Sequence, residues 1–223
     1  MGPLETNLLD ILEFVGVVAL AGSGALAAAA RRLDVAGVCV AAVAVGLAGG
    51  TLRDLILGVP VFWLHWPLLL AACVVAASAV WAMGERAWSG RALLWLDAVG
   101  LGAITAVGVA RAAAVGATPL AAVAIGVLAA AAGGLIRDGV ARQAPLVFGR
   151  PLYLSAAIAG AALFVLLRLL QADDAASAMA GAILVVALRS GALRYGWALP
   201  GWPDRDRSGS RTGFVRRPGY GPR

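Results

Sequence analysis

Residues 49–54 read Gly-Gly-Thr-Leu-Arg-Asp, and residues 133–138 read Gly-Gly-Leu-Ile-Arg-Asp. Each stretch lies within a long apolar segment, and the offset from position 49 to position 133 is 84 residues. The same offset of 84 residues relates Glu13 to Asp97. Glu13 lies in the first apolar run of the chain and Asp97 in the fourth. We therefore predict two copies of a three-helix unit.

Hydrophobic residues make up 61% of the 223-residue chain and charged residues only 13%. A soluble domain of this length could not bury so much apolar surface in one core. A membrane-spanning helix needs about 20 apolar residues, so the chain has room for about seven spans and for no separate soluble domain. The composition therefore predicts an all-α integral membrane protein.

The apolar runs between charged, proline and glycine residues predict seven membrane-spanning helices. Three of them form repeat one over residues 8–83, three form repeat two over residues 93–170, and the seventh lies outside the repeats. The predicted channel-like domain covers residues 1–203, before a tail at 204–223. The predicted spans are 8–29, 35–57, 66–83, 93–113, 118–140, 152–170 and 175–197.

Arginine is concentrated in the loops after the odd-numbered spans, as at Arg31, Arg86 and Arg142, and in the C-terminal tail. The positive-inside rule then predicts an external N-terminus and a cytoplasmic C-terminus in the inner (plasma) membrane of the cell. The tail at 204–223 is rich in Arg, Gly, Ser and Pro, so we expect it to be disordered. It could tether the protein to anionic lipids or serve only as a topology signal.

The order of the spans predicts that the two repeats are inverted. A three-helix unit begins and ends on opposite sides of the membrane, so a second copy that follows directly enters from the other side. Parallel repeats would need a linker span between Trp81 and Leu93, and no apolar run is present there. The seventh helix is then expected to be an appendage.

We expect the glycine pairs to break the second and fifth helices, because glycine weakens a helix and leaves carbonyl groups free. Broken backbone in a membrane is tolerated where it lines a watery cavity, and its carbonyls can replace part of a cation's hydration shell. The alternative is that the glycines only form a close-packing face. The predicted ion pathway consists of Gly49, Gly50, Thr51, Asp54, Gly133, Gly134 and Asp138.

Charged residues inside predicted spans are expensive, so each one needs a partner or a functional position. Estimated depths in the membrane predict two repeat-related ion pairs, Glu13 with Arg53 and Asp97 with Arg137. Adjacent helical residues point in different directions, so we do not expect either arginine to neutralise the aspartate that follows it. Those two aspartates would remain available to attract a cation. The alternative is that the arginines extend to the membrane surface.

Other polar residues suggest little chemistry. His65, the only histidine, is expected to belong to an aromatic belt, and Tyr153 to act as an interface anchor. A lone histidine makes no metal site, so neither a metal nor a cofactor is expected. The chain has no nucleotide-binding motif and no catalytic acid paired with His or Ser, so we do not expect an enzyme.

The motifs at 49–54 and 133–138, with the sequence PLVFGRPLY at 145–153, resemble the prokaryotic trimeric intracellular cation (TRIC) channels. This resemblance implies a homotrimer with one pore per subunit around kinked second and fifth helices, conducting monovalent cations with potassium as the main ion. The family has three glycines at the break, whereas this chain has alanine at positions 48 and 132. The chain has no lysine, so the phosphoinositide control of the animal members should not be carried over.

Two other functions remain open. A secondary transporter of glycine or another small solute also uses inverted repeats and broken helices, but it must bind a carboxylate and close one side before opening the other. A channel needs only a continuous polar path with acidic residues near it. A purely structural or lipid-organising membrane protein would need neither aspartate within the membrane.

Overall fold

The computed structural model describes residues 3–87, 90–146 and 152–199, and these residues form an all-helical bundle. The predicted tail at 204–223 and residues 147–151 of the PLVFGRPLY motif lie outside the described residues. The helices are α1 (Pro3–Ala30), α2 (Val35–Leu57), α3 (Phe62–His65), α4 (Leu68–Ala87), α5 (Gly90–Ala114), α6 (Pro119–Ala141), α7 (Leu154–Leu169) and α8 (Asp174–Tyr195).

Matching caps set the ends of α2 and α6. The Asp34 side chain accepts a hydrogen bond from a backbone N–H in the first turn of α2, and Thr118 does the same for α6. The helices end at Gly58 and Arg142, both in the left-handed conformation that exposes the last carbonyls to capping N–H groups. The start caps are 84 positions apart, and so are the end caps. The repeat therefore preserves both the length and the ends of this helix.

Within the described residues, five helices are long and apolar enough to cross a bilayer, as expected of an all-helical membrane protein. The other two predicted spans correspond to α4 and α7, whose apolar parts are shorter. The 16 residues of α7 extend about 24 Å, less than the ~30 Å hydrocarbon thickness of a typical bilayer. The five candidate spans are Leu8–Ala30, Val35–Leu57, Arg91–Ala114, Pro119–Ala141 and Asp174–Tyr195.

The prediction that the second and fifth spans are broken is wrong. Both α2 and α6 remain helical through their glycine pairs. The irregular helix is α4 instead, which contains one non-helical residue at Gly84 (φ 64°). A short helix that was not predicted, α3, lies between the second and third predicted spans.

The glycines of α2 and α6 serve close packing between the two helices. A methyl group added at Gly49 would lie 2.5 Å from the carbonyl oxygen of Ala129, and one at Gly133 would lie 2.9 Å from that of Val45. Any side chain larger than hydrogen would force the backbones apart. In these contacts position 49 of α2 lies beside position 129 of α6, and position 45 lies beside position 133. Residue numbers rise along one helix as they fall along the other, so the two helices are antiparallel. This arrangement matches the alternative expectation for the glycines, that they form a close-packing face.

The first helices of the two repeats pack in the same way. Gly16 of α1 faces Ile104 of α5, and Gly100 of α5 faces Leu20 of α1. Each of these residues maps onto its counterpart by the 84-residue offset, and the contacts again run antiparallel. The repeats are therefore related by a local twofold axis, with α1 and α5 as the most buried long helices.

The seventh predicted span, α8, is part of this bundle and packs against α5 and α7. A methyl group at Gly102 of α5 would lie 2.8 Å from the carbonyl oxygen of Ala182 in α8. On the other side, Gly181 of α8 lies against the backbone of Gly160 in α7. This helix lies outside the two repeats, but glycines on three helices bring it into close contact with repeat two.

The close crossing of α2 and α6 makes Gly49 intolerant of substitution. We expect Gly49→Ala to lower the stability by about 1–3 kcal/mol, because the new methyl group meets a backbone carbonyl. Gly139→Ala is the control: it lies in α6 with nothing within 4 Å of the added carbon, and alanine favours the helix by up to about 1 kcal/mol. Unfolding of the purified variants in detergent measures the difference, and equal stabilities would contradict this packing.

Candidate functional site

The polar residues of the bundle interior form two clusters at opposite ends of the α2–α6 crossing. Each contains an arginine–aspartate pair, which follows the glycine pair by about one helical turn. Because α2 and α6 are antiparallel, the pairs lie on opposite sides of the crossing. The repeat-one cluster consists of Asp10, Glu13, Arg53, Asp54 and Arg111, and the repeat-two cluster consists of Asp97, Arg137, Asp138, Tyr153 and Arg189.

In the repeat-one cluster one arginine is shared by two carboxylates. Nη1 of Arg53 lies 2.5 Å from Oε1 of Glu13, and its Nε donates to Oδ1 of Asp54 at 2.7 Å. All three side chains are at most 4% exposed. A charge removed from water to this extent is tolerated only with good partners, so the arginine fixes α1 against the end of α2.

The repeat-two cluster reproduces this geometry. Nη1 of Arg137 pairs with Oδ1 of Asp97, and its Nε donates to Oδ1 of Asp138 at 2.9 Å. These side chains are 0–2% exposed. The structure thus brings together both pairs that were predicted from depth, Glu13 with Arg53 and Asp97 with Arg137.

The two aspartates that follow the arginines are not free, which overturns the expectation that they remain available to a cation. Besides its arginine, each is bound by a backbone N–H eight residues later: Phe62 donates to Asp54 at 2.8 Å, and Leu146 donates to Asp138 at 2.6 Å. The expectation failed because the position of a residue on a helix fixes only the direction of its Cβ atom. It does not fix where the end of a long side chain lies. A guanidinium group has five N–H donors in a planar fork, so it can bind its own neighbour and a distant carboxylate together.

The remaining predicted pathway residues on α2 face the short helix α3. The Thr51 hydroxyl donates to the Leu47 carbonyl at 2.7 Å and accepts from Nε1 of Trp63 at 3.0 Å. The ring of Phe62 lies directly against Gly50, and it is 5.3 Å from the guanidinium of Arg53. In this arrangement α3 covers the end of α2. Gly134, the corresponding glycine of repeat two, is buried within α6.

Two residues of the repeat-two cluster were not identified from the sequence. The hydroxyl of Tyr153 donates to Oδ1 of Asp97 at 3.1 Å, and the tyrosine is only 1% exposed, so its assignment as an interface anchor is wrong. Nη2 of Arg189 lies 3.5 Å from Oδ2 of Asp97. A signal was present, because Arg189 is an arginine within an apolar run, the same feature that marked Arg53 and Arg137.

The repeat-one cluster has a different second arginine. Nη2 of Arg111, at the end of α5, lies 2.5 Å from Oδ1 of Asp10 and 3.5 Å from Oε2 of Glu13. The side chains of Arg111 and Asp10 are each 34% exposed. The repeat-one cluster therefore extends to the surface. In the repeat-two cluster the charged side chains are fully buried: Asp97, Arg137, Asp138 and Arg189.

The part of the chain that the structure describes holds no group of three or more His, Cys, Asp or Glu side chains arranged to bind a metal ion. His65 ends α3 and is exposed. The chemistry available to the site is that of carboxylates, guanidinium groups and backbone amides.

A family model described as Glycine transporter matches residues 10–85 and again residues 94–169. The matches begin 84 residues apart, so one model fits both repeats. UPF0126 inner membrane protein YadS of Escherichia coli strain K12 is 34% identical over 193 residues, 85% of this chain and 93% of that protein. A UPF0126 membrane protein of Deinococcus radiodurans is 36% identical over 196 residues, 86% of this chain and 91% of the relative.

Solved structures match the fold. The TRIC trimeric intracellular cation channel orthologue from Rhodobacter sphaeroides is 36% identical, with a TM-score of 0.80, over 84% of this chain and 98% of the orthologue. The chain belongs to the prokaryotic TRIC channel family. A prokaryotic TRIC channel solved in 0.5 M KCl is 25% identical with a TM-score of 0.80, over 87% of this chain and all of that one. The family resemblance inferred from the motifs is confirmed.

The two acidic partners of Arg111 in this TRIC family member differ sharply in burial, which gives a matched test of the cluster. We expect Glu13→Gln to cost about 3 kcal/mol of stability, because it leaves two arginines with too little buried negative charge. Asp10→Asn should cost less than about 1 kcal/mol, because Asp10 is partly exposed. Denaturant unfolding of both variants in the same detergent gives the comparison, and a larger loss for Asp10→Asn would contradict this account.

Proposed function

We propose that this TRIC family member is a monovalent cation channel with potassium as its main permeant ion. The observation that carries the proposal is the pair of buried arginine–carboxylate clusters on either side of the α2–α6 crossing. Several solved structures that it resembles are described as cation channels. Charges buried in membrane-spanning helices are costly, so a functional position is the default hypothesis for them.

The proposed permeation path follows the crossing of α2 and α6. On this proposal the carboxylates of the two clusters meet cations only after the clusters loosen, and they then act as the acidic rings of other cation channels do. Between the clusters the glycine contacts carry no side chains, so the helices can separate without moving bulky groups. On this proposal the path is lined by Gly49, Gly50, Thr51, Asp54, Gly133, Gly134 and Asp138.

The described arrangement supports a closed path. Asp54 and Asp138 are each bound by an arginine and by a backbone N–H. A cation would therefore have to compete with a guanidinium group for either carboxylate. Conduction on this proposal requires α2 and α6 to move apart and the arginine of each cluster to release its aspartate.

Membrane topology forms the second part of the proposal. The antiparallel packing of α1 with α5 and of α2 with α6 supports repeats that are inverted across the bilayer. If α4 and α7 also span, with the bilayer thinning around them, the chain has seven spans, an external N-terminus and a cytoplasmic C-terminus. The structures it resembles are named trimeric channels, so we propose a homotrimer, in contact with membrane lipids, with one pore per subunit.

The channel proposal is tested by recording purified protein in planar bilayers with a potassium gradient. We expect discrete conductance steps that reverse near the potassium potential and that are reduced in Asp54→Asn and Asp138→Asn. Gly139→Ala is the control, because it lies next to Asp138 and meets no neighbouring atom. Currents unaffected by neutralising either aspartate would contradict the proposed path.

The family description as a glycine transporter supplies the alternative function. Saturable uptake of labelled glycine into liposomes, together with silent bilayers, would replace the channel by a secondary transporter. A transporter must expose its site to one side at a time, whereas a channel passes ions along a continuous path. The same protein preparation serves both measurements.

Orientation is testable by cysteine labelling after Cys39 and Cys73 have been replaced by serine. We expect Val115→Cys, in the α5–α6 connection and 54% exposed, to react with a membrane-impermeant maleimide in intact spheroplasts. Arg31→Cys, in the exposed α1–α2 connection, should react only after lysis. The reverse pattern would place the N-terminus in the cytoplasm.

A further inference from the structure

A second arginine lies beside the arginine and two carboxylates at the centre of each cluster. In both clusters one arginine is shared by two carboxylates, which leaves one negative charge in surplus. Arg189 supplies the missing positive charge to the repeat-two cluster, whereas Arg111 also pairs with Asp10, so the repeat-one cluster keeps one negative charge in surplus. At the offset of 84 residues Arg111 corresponds to Ala27, and Arg189 lies on α8 outside the repeats, so neither arginine has a repeated counterpart.

Arg189 is held by α8 in a fully buried position. It is 1% exposed, its Nη2 lies 3.5 Å from Oδ2 of Asp97, and its guanidinium lies 4.7 Å from the Tyr153 ring centre. Its Nη1 also reaches the carbonyl oxygen of Leu152 at 3.5 Å. Among the described residues, Oδ2 of Asp97 accepts no hydrogen bond, so Arg189 acts on it through charge. Water cannot replace that charge at a site with this burial.

We propose that Arg189 is a positioning residue for Arg137: by neutralising Asp97 from the far side, it lets Arg137 bridge Asp97 and Asp138. Without Arg189 the sealed repeat-two cluster would carry a net negative charge, and Asp97 would draw Arg137 away from Asp138. The α8 helix, which lies outside the repeats, thus controls the Arg137–Asp138 unit at one end of the proposed path. Arg111 has a weaker version of this role, because it is 34% exposed and water can partly replace it.

A charge-balance cycle tests the assignment. Arg189→Gln leaves the cluster one charge negative, Asp97→Asn leaves it one charge positive, and the double variant is neutral. We therefore expect both single variants to melt well below the wild type in detergent, and the double variant to melt above both of them. Arg189→Lys, which keeps the charge, should melt nearest to the wild type.

Additive losses in the double variant would overturn the proposal, because Arg189 would then act only through packing. Failure of both Arg189→Gln and the double variant to yield folded protein would overturn it equally. Recovery of folded protein only when Asp97→Asn accompanies Arg189→Gln would support it strongly, since a neutral cluster is the one property that the second change restores.

The effect on permeation rests on the proposed channel function and has its own measurement. In potassium-gradient recordings the double variant should be folded but altered in open probability, because Arg137 is then held by Asp138 alone, while Arg189→Lys should resemble the wild type. Wild-type currents from a folded double variant would reduce Arg189 to a structural residue and overturn its positioning role. A wild type without any current would reject the channel function, and the melting cycle would still decide the charge balance.

Discussion

The fold depends on the cost of burying arginine. Arg53, Arg137 and Arg189 are among the largest fully buried side chains of the described bundle, and an unpaired guanidinium in that environment would cost several kcal/mol. Each must therefore find a carboxylate at its own depth, and the carboxylates of Glu13 and Asp97 come from a different helix. This requirement fixes α1 against α2, and α5 against α6, along the helix axes. Apolar packing alone would leave those positions free to slide.

Glycine packing determines the distance between the two repeats. At the α2–α6 crossing the glycine of one helix faces a backbone carbonyl of the other, and the 84-residue offset generates the same contact twice. A twofold axis makes the two contacts equivalent, so one small residue per repeat brings both backbones together. The ion pairs lie about a turn away on either side. The ion pairs of Arg53 and Arg137 join α2 to α1 and α6 to α5, so the contact between α2 and α6 themselves rests on packing.

The features of the fold that follow a regular pattern in the sequence could be predicted from it. The offset predicted the repeat, and depth in the membrane predicted the partners of Arg53 and Arg137. The glycine pairs were ambiguous, because glycine both weakens helices and permits close packing, and neighbouring helices decided in favour of packing. Tyr153 and Arg189 were missed for a different reason. Neither has a repeated counterpart, so the offset gave no information, and only the tertiary packing of α7 and α8 brings them to Asp97.

The symmetry of the bundle is therefore incomplete in a specific way. Both clusters share one core, an arginine held between two carboxylates, but the second arginine beside the core differs. At one end Arg111 reaches the surface with Asp10, where water and dissolved ions weaken its field. At the other end Arg189 is enclosed, so water and dissolved ions screen its charge less. Two halves with similar backbone contacts therefore differ in electrostatics, and if ions follow the proposed path, they meet different barriers at its two ends.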